Sequence, residues 1–450
     1  MDNPNLSAQF GEFPSLPNTQ ISHELLVATE EGGHENGLSS EEIIKAAGTQ
    51  YMDACCNEGF NLNQFFAVPA LPREIRNGLE MAHLLLCSAD MISNRRYEEA
   101  SRMLSQCKKL SSQLGHPIQR LCYYFSEALQ ERIERQISSE PNKAKQITPD
   151  YYLLALCTTV SPYAKVLQFT GVQAILDAVR GEKRIHVIDM GIRTGCQWTT
   201  LIQSLSHKIS SSSVRHLRMT AVGVNSDVLE DSGKRLTEFA KTMEIRFSYR
   251  SVRISNMEEI HEGLFNVKAG EFVAVYAPIV FGRLLYDPIL LGNTVNVIMK
   301  LKPHILVVSE VEAQHNSPSF PNRFIEALFY YSAYFDCLEA VRHDRNDLKR
   351  VKYEEVCLQN EIRNIIACEG ESRWARHIMM DRWRCFFRMV GFIEMRFSYR
   401  AWYQARLLLN EYNHGDNFTI EPNGSAMSVG WKGTRLYTQS VWSCKRMPKG

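Results

Sequence analysis

The chain has 450 residues, and its 51 lysine and arginine residues nearly balance 50 aspartate and glutamate residues, giving a formal net charge of +1. Hydrophobic residues make up 44% and charged residues 22% of the chain, as is typical of folded globular proteins. A net charge this close to zero excludes attraction to nucleic acid or anionic membranes through overall charge, so any such contact needs a local patch or a partner. The length allows two or three ordinary domains, or one large α/β domain with additions.

The 12 cysteines include no C-x-x-C pair and no clustered zinc ligands, which predicts buried free thiols in a reducing compartment and no metal site. The opening stretch "MDNPNLSAQFGEFPSLPNTQ" has neither the basic segment nor the apolar segment of a secretory signal. No apolar run approaches the roughly 20 residues that a membrane-spanning helix needs. We therefore expect an intracellular protein without a membrane segment.

Residues 1–75 mix Pro, Gly, Asn, Ser and Glu with isolated hydrophobic residues, which predicts a variable and largely disordered region. One short helix is predicted within it, over "SSEEIIKAAGTQYMDACC". Ser40 can cap this helix, and Ile43, Ile44 and Ala47 share one of its faces.

Apolar residues at three- and four-residue spacing predict a set of antiparallel helices between Leu79 and Gln136. A stripe this rich in leucine is typical of a hydrophobic core. The alternative is an exposed face that binds a partner. The residues that we select to test that alternative are Leu85, Met103 and Leu110.

From residue 161 onward, short apolar strands alternate with helical patterns, which predicts a parallel sheet covered on both faces. The first strand, "IHVID", runs into a glycine loop and then the helix "QWTTLIQSLSHK". The loop Asp189–Gly195 therefore lies at the carboxyl end of a strand, where open α/β sheets bind ligands. The other predicted strands of this part are "LRMTAVGV", "IRFSYRSV", "FVAVYA" and "HILVVSEVE".

The last third opens with two predicted helices, "FPNRFIEALFYYSAYFDCLEA" and "SRWARHIMMDRWRCFFRMVGF". It ends with the extended run "FIEMRFSY", the helix "AWYQARLLLNEY", and the extended runs "FTIEP" and "AMSVGWKGTRLYTQSVW". These runs predict antiparallel strands appended to the parallel sheet.

The loop "DMGIRTG" fits a cofactor loop only in part. Arg193 stands where a dinucleotide loop has its middle glycine, and the second strand ends in Asn225 rather than an acidic residue that would hold a ribose. The residues favour a tight turn in which Asp189 accepts hydrogen bonds from amides of the following helix. An adenosyl-cofactor pocket formed by Asp189, Gly191, Gly195 and Asn225 stays open as the alternative.

The sequence contains no motif that pairs a catalytic nucleophile with a base, and no histidine spacing matches a metal site. His186 alternates with buried strand residues, which indicates a core histidine. The run "SEVEAQHNS" sets Glu310, Glu312, His315 and Asn316 beyond a strand end. Paired carboxylates there suit acid–base chemistry, but loop anchoring is the favoured interpretation.

The strongest basic patch interleaves arginines with Trp374 and Trp383, a combination that suits contact with DNA or a protein partner. The alternative is that these arginines pair with the acidic residues of "EEVCLQNEIRN" or "CEGE". The candidate contact residues are Arg373, Arg376, Arg382 and Arg384.

Taken in order, these blocks resemble the GRAS family of plant transcriptional regulators. The family's VHIID block is similar to "RIHVIDMGIRTGCQWTTLIQSL", its second leucine-rich region to "SGKRLTEFAKTM", and its SAW ending to "GWKGTRLYTQSVW". The resemblance implies a GRAS domain over residues 76–446. Its parts are the first leucine-rich region and helical cap (76–140), VHIID (155–222), the second leucine-rich region (230–268), PFYRE (271–368) and SAW (369–446).

The resemblance implies an α/β fold of Rossmann type, with a methyltransferase-like parallel sheet, C-terminal antiparallel strands and an α-helical cap. It implies a nuclear regulator without enzyme activity or cofactor. Partners would be other GRAS proteins, which pair through the cap, and DNA-binding factors such as zinc-finger proteins, with DNA contacted directly or indirectly. An S-adenosylmethionine-dependent methyltransferase and a small-molecule receptor, both using the loop Asp189–Gly195, remain the alternatives. "HELLVAT" (His23–Thr29) is similar to the DELLA hormone-sensing motif but lacks its downstream companions.

Overall fold

The structure is a computed structural model that describes residues 38–56, 72–138, 151–206, 214–342, 347–412 and 414–444. The predicted disorder of residues 1–75 falls mostly outside these ranges, and so does the motif "HELLVAT". The chain divides into two compact units. A helical unit contains Met1–Ala144 and Gln314–Arg373, and a sheet unit contains Lys145–Ala313 and Trp374–Gly450.

The α-helices and β-strands alternate through the middle of the chain, as the sequence predicts. In chain order the helices are α1 (Ser40–Cys56), α2 (Arg73–Ser93), α3 (Tyr97–Leu110), α4 (Pro117–Ile137), α5 (Tyr151–Val160), α6 (Pro162–Ala178), α7 (Gln197–Leu205), α8 (Ser226–Thr242), α9 (Pro288–Lys300), α10 (Phe320–Val341), α11 (Leu348–Tyr353), α12 (Gln359–Ile366), α13 (Met380–Met389) and α14 (Tyr399–Asn410). The strands are β1 (Arg184–Asp189), β2 (His216–Gly223), β3 (Phe247–Arg253), β4 (Phe272–Pro278), β5 (Ile305–Val311), β6 (Phe392–Met395), β7 (Phe418–Asn423), β8 (Ala426–Trp431) and β9 (Thr434–Cys444).

The strands form one sheet in the order β3-β2-β1-β4-β5-β9-β8-β7, with β6 paired to β9. Strands β1 to β5 are parallel. The near-continuous burial of β1, β4 and β5 agrees with helices on both faces, whereas β3, at the edge of the sheet, has only one buried residue. Strand β9 joins antiparallel to β5, with Leu306 opposite Trp442, and the remaining C-terminal strands follow it. The predicted fold class is therefore confirmed, including the appended antiparallel strands.

The helical unit contains helices α1–α4 together with α10–α12. The predicted helix over residues 40–56 and the leucine-rich helices are all present. The sequence did not reveal that α10–α12 belong with them, because α10 follows the last parallel strand along the chain. A π-helical turn, Glu354–Leu358, separates α11 from α12.

One predicted helix is shorter than expected. The run "SRWARHIMMDRWRCFFRMVGF" is helical only over α13, and residues 373–379 are not helical. The backbone N–H of Arg376 donates to the carbonyl of Gly282 at 2.9 Å, a contact that an α-helical Arg376 would not make. The aromatic residues of α13 contribute to a buried cluster in which Trp383 and Phe387 pack against Phe281.

Charged groups are buried inside the helical unit. The guanidinium of Arg120 is fully buried, and it contacts Glu354 at 3.1 Å and Glu339 at 2.6 Å. Arg350, which is also fully buried, donates to Glu354 at 2.9 Å. Since Glu354 accepts from both arginines, it holds α4 and α11 together at the start of the π-helical turn.

The sequence predicts no membrane-spanning helix, no metal site and free thiols. None of the helices in the described ranges is both long and apolar enough to cross a membrane. No group of three histidine, cysteine or acidic side chains in the same ranges is placed to hold a metal ion. The cysteines whose side chains the structure describes are free thiols.

We expect Glu354→Gln to lower the stability of the helical unit by about 3 kcal/mol, because it removes the carboxylate that the two buried guanidinium groups share. Urea denaturation followed by circular dichroism measures this. The matched control is Glu355→Gln, since Glu355 pairs at 3.1 Å with Lys352 and both side chains are nearly half exposed. The control should change stability by about 0.5 kcal/mol or less, and equal losses in the two variants would contradict the role given to Glu354.

Candidate functional site

The carboxylate of Asp189 lies at the carboxyl end of β1 and is fully buried. Its Oδ2 accepts a hydrogen bond from the indole Nε1 of Trp198 at 2.8 Å, and its Oδ1 accepts from the backbone N–H of Gly191 at 3.1 Å. The prediction that helix amides bind this carboxylate was wrong. The donors are a side chain of α7 and an amide within the loop, because Trp198 folds back over the end of β1.

The loop after β1 is packed by its own residues. Ile192 is 6% exposed, and its backbone N–H donates to the carbonyl of Val222 at the end of β2, at 3.2 Å. Trp198 is fully buried with its ring edge-on to Tyr276, at 5.3 Å between centroids. The sequence suggested that Arg193 fills this space, but Arg193 is only partly buried and Ile192 is the side chain that packs inside.

Helix α8 fixes the same loop from the neighbouring side. The guanidinium of Arg235 donates to the carbonyl of Thr194 at 2.9 Å, and the hydroxyl of Ser232 lies 3.4 Å from that oxygen. The Thr194 carbonyl and the Ile192 amide are thus bonded within the chain.

The two loop glycines, Gly191 and Gly195, differ in whether a larger side chain could replace them. Gly195 has a φ of +69°, and a Cβ there would lie 3.2 Å from Ile192, so both conformation and space favour glycine. Gly191 has ordinary backbone geometry, and a Cβ there would meet only Val280, at 3.7 Å. Asn225 caps α8, since its side chain accepts from the amides of Asp227 and Val228. Asp189, Gly191, Gly195 and Asn225 therefore all have structural roles at this edge.

A cavity beside the loop measures about 180 Å³ and is lined by Phe169, Cys196 and Thr200, among others. Pockets that bind small molecules usually measure about 300–1,000 Å³. This cavity is below that range, and its lining is largely apolar.

The histidine of β1 is paired within the chain. His186 is fully buried and contacts the hydroxyl of Thr220 at 2.8 Å. Burial lowers the pKa of His186 to about 3, so the ring is neutral at physiological pH. These contacts agree with the predicted core histidine.

Two further buried carboxylates anchor loops. Glu310 accepts from the amides of Phe281, at 2.8 Å, and Gly282, at 3.2 Å, and burial raises the pKa of its carboxyl group to about 8. Glu312 accepts from the amide of Met380 at the start of α13, at 3.1 Å. This geometry agrees with loop anchoring. His315, by contrast, lies in the helical unit, where it is buried edge-on to Tyr330.

The four candidate arginines do not form one surface. Arg373 belongs to the helical unit and is 4% exposed, whereas Arg376, Arg382 and Arg384 belong to the sheet unit. Arg384 is held by Asp381, by Glu394 at 2.9 Å and by the carbonyl of Asn423 at 2.6 Å. Its partners are therefore not the acidic runs that the sequence suggested. Arg382 is exposed in the first turn of α13.

The three residues chosen to test the cap also differ in exposure. Leu85 is fully buried within the helical unit, so its side chain contributes to the core there. Met103 and Leu110 lie on one side of α3 and are partly exposed. A substitution at Leu85 would therefore report on folding, whereas substitutions at Met103 and Leu110 reach the surface.

Several residues that shape this site are not predicted from the sequence. Ile192 could have been noticed as an isolated apolar residue in a polar loop, and Ser232 and Arg235 as polar residues one helical turn apart. The hydrogen bond between Trp198 and Asp189 could not be predicted from the sequence, because it depends on how α7 packs over β1.

Known proteins are similar to this chain in sequence and in fold. The GRAS domain family model matches residues 81–443. The chain belongs to the GRAS domain family. It is 31% identical over 373 residues to "DELLA protein GAIP" of Cucurbita maxima, and 32% identical over 375 residues to "DELLA protein GAI" of Arabidopsis thaliana.

Each of these alignments covers 81% of this chain, and they cover 63% of the Cucurbita protein and 68% of the Arabidopsis protein. The chain thus spans less than two thirds of the length of the first of these relatives. A crystal structure of SCL7 from Oryza sativa superposes with a TM-score of 0.70 at 26% identity, covering 83% of this chain and 100% of that one. The relatives make this GRAS chain a member of a family of plant transcriptional regulators.

We expect Trp198→Phe to destabilise the protein more at pH 8 than at pH 5. Burial raises the pKa of Asp189 to about 6 from its ordinary value of 3.8, so its contribution to stability is greatest below about pH 4 and is lost as the pH rises through 6. The indole bond offsets part of this loss once the carboxylate ionises. Its removal should cost about 2–3 kcal/mol at pH 8 and about 1 kcal/mol less at pH 5, measured by urea denaturation.

The control for this experiment is Trp442→Phe. Trp442 is also fully buried, but its indole donates to the neutral hydroxyl of Ser440 at 2.9 Å. The cost of the control should be the same at both pH values. If the cost of Trp198→Phe were equally independent of pH, the bond to Asp189 would not stabilise the ionised carboxylate.

Proposed function

We propose that this GRAS chain is a nuclear co-regulator of transcription that acts by binding other proteins, without enzyme activity of its own. One observation carries the proposal: at the edge of the sheet where a cofactor would bind, the loop is filled by Ile192 and Trp198. Asp189, the one carboxylate in this loop, is buried and accepts hydrogen bonds from the indole of Trp198 and the amide of Gly191. A loop whose donors and acceptors are bonded within the chain suits a scaffold.

Contact with DNA, on this proposal, is mainly through partners. The formal net charge is +1, and Arg373 and Arg384 are held by contacts within the chain. Arg382 alone of the four candidates is exposed, and one arginine gives little of the electrostatic attraction that binding to phosphates requires. DNA-binding factors, zinc-finger proteins among them, would therefore supply the specificity.

The sheet unit offers a surface that suits protein partners. On helix α14, Tyr399 is 82% exposed, Tyr403 is 52% exposed and Leu407 is 47% exposed, and they recur every four residues along one face. Exposed Arg400 and Arg406 flank them. Tyrosine and arginine are among the residues most enriched at the positions that contribute most of the binding energy in protein interfaces.

We expect no binding of S-adenosylmethionine to the purified chain by isothermal titration calorimetry, even at millimolar cofactor. The expectation rests on the packed loop and on the small cavity beside it. Micromolar binding that is lost on Gly191→Arg would overturn the scaffold proposal and favour the methyltransferase. Gly191→Ala serves as the control for folding, since a Cβ at this position has space.

We also propose that the helical unit pairs with another GRAS protein, or with a second copy, through α3. The double variant Met103→Glu, Leu110→Glu should keep its circular dichroism spectrum, because both side chains are partly exposed, and should lose pairing in analytical ultracentrifugation. In plant protoplasts, the same variant should lower reporter transcription while a fluorescent fusion still accumulates in the nucleus.

Leu348→Glu is the matched control for pairing, since Leu348 is 80% exposed on α11 of the same unit. Leu85→Glu should instead unfold the unit, because Leu85 is buried. Full pairing by the double variant would exclude this face of α3 as the dimer contact.

A further inference from the structure

Strand β3 lies at one edge of the sheet, where it pairs with β2 alone. The carbonyl of Arg246 accepts from the amide of Leu217 at 2.9 Å, so the even-numbered residues of this strand bond to β2. Successive residues of a strand direct their backbone groups to opposite sides. The N–H and C=O groups of Tyr249 and Ser251 therefore point to the open edge, as a row that a further strand can pair with.

Helix α8 holds β3 in place from one face of the sheet. The hydroxyl of Tyr249 donates to the carbonyl of Leu229 in α8 at 2.8 Å. A Cβ at Gly233 of the same helix would lie 2.5 Å from the Tyr249 ring, so helix and strand are in close contact. An edge that is already ordered in this way loses little conformational freedom when it binds a partner.

The opposite face of β2 and β3 carries basic side chains. Since side chains alternate between the two faces of a strand, Arg246 and Arg250 point away from α8, and both are exposed. On β2, Arg218 lies opposite Ser248, and the ring of His216 contacts the Ser248 hydroxyl at 2.9 Å. Three arginines and a histidine thus share one face of this edge.

The positive charge of this face is only partly balanced within the chain. Arg218 pairs with Glu271 at 3.2 Å. Arg246 and Arg250, by contrast, form no ion pair with any residue that the structure describes. Partial burial and, after it, the neighbouring charge of Arg246 lower the pKa of His216. An anionic ligand at this face would therefore relieve repulsion between cations.

We propose that the open edge of β3 binds an extended, acidic segment of a partner protein by strand addition. The backbone of the segment would pair with Tyr249 and Ser251, and its carboxylates would pair with Arg246 and Arg250. These arginines are four residues apart, or about 13 Å along a strand, so they select acidic residues at the same spacing. In this mode of binding, main-chain hydrogen bonds give affinity and side chains give specificity. The inference rests on the proposed role in protein binding, and it uses an element other than α3 and α14.

Nucleic acid is the other polyanion that a basic edge attracts. Its phosphates accept hydrogen bonds but offer no N–H groups, so they would leave the outward C=O groups of Tyr249 and Ser251 unpaired. An extended peptide offers both donors and acceptors along its backbone. The exposed backbone of β3 therefore favours a protein segment.

Fluorescence polarisation of the full chain tests the site. The probe is a short fluorescein-labelled peptide in which glutamate alternates with valine or threonine. Arg250→Gln should weaken its binding at least tenfold, because a charged hydrogen bond is lost. The matched control is Arg382→Gln, which removes the same charge from an exposed position on α13 and should leave binding within about twofold.

Two further changes test strand pairing separately from charge. N-methylation of the peptide at the residues that face β3 keeps its charge but blocks its backbone donors, and should weaken binding at least tenfold. Ser251→Pro removes an outward N–H of β3 and should weaken binding similarly. This variant should keep its circular dichroism spectrum, because proline is tolerated where the N–H of an edge strand faces solvent.

Absence of peptide binding by the unaltered chain would overturn the site. Equal losses in Arg250→Gln and Arg382→Gln, or unchanged binding of the N-methylated peptide, would leave only attraction by charge and overturn strand addition. Tighter binding of a duplex DNA oligonucleotide than of the peptide would assign the edge to nucleic acid instead. None of these results changes pairing through α3 or its reporter assay, so failure of this site is distinguishable from failure of the proposed function.

Discussion

The carboxyl edge of the parallel sheet is held together by buried carboxylates that accept hydrogen bonds from loops of the chain itself. Asp189 ends β1 and fixes Trp198 and the glycine loop, and Glu310, near the end of β5, fixes the amides of Phe281 and Gly282. Glu312, just beyond β5, fixes the start of α13. A buried carboxylate without such partners would be strongly unfavourable, so the loops must stay where these bonds are made.

This constraint separates the fold from the chemistry that similar folds carry out. A cofactor site at a sheet edge needs polar groups that are left free for the ligand. Here the carboxylate at the start of the loop accepts a hydrogen bond from Trp198, and Arg235 of α8 donates to the Thr194 carbonyl. The loop thus has the position of a ligand-binding loop, but its hydrogen bonds are made within the chain. These bonds stabilise the loop and leave fewer polar groups free for a ligand.

Much of the fold could be predicted from the sequence, because hydrophobic periodicity is strong in this chain. The parallel strands appear as apolar runs, and helices α2 to α4 appear as stripes. The extended segment 373–379 could not be predicted. Its buried positions alternate, but they are Arg373, Ala375 and His377, so the alternation is invisible on a hydrophobicity scale. The pattern of the neighbouring tryptophans and arginines instead predicts a continuous helix.

The position of the candidate site could also be predicted, but not its interior. A strand followed by a glycine turn locates Asp189 at the carboxyl edge of the sheet. Which group binds the carboxylate depends on the packing of α7, and Trp198 is nine residues further along the chain. The buried arginines of the helical unit were hidden for a related reason. A charged residue is normally predicted to be exposed. The burial of Arg120 and Arg350 is explained only by the structure, in which both pair with Glu354.

The two units use their buried carboxylates in different ways. In the sheet unit, Asp189, Glu310 and Glu312 accept hydrogen bonds from backbone amides and from one indole. In the helical unit, Glu354 instead accepts from the buried guanidinium groups of Arg120 and Arg350. Because a buried carboxylate needs such donors, the carboxylates of the sheet unit fix the positions of loops, whereas Glu354 fixes helices α4 and α11 against each other.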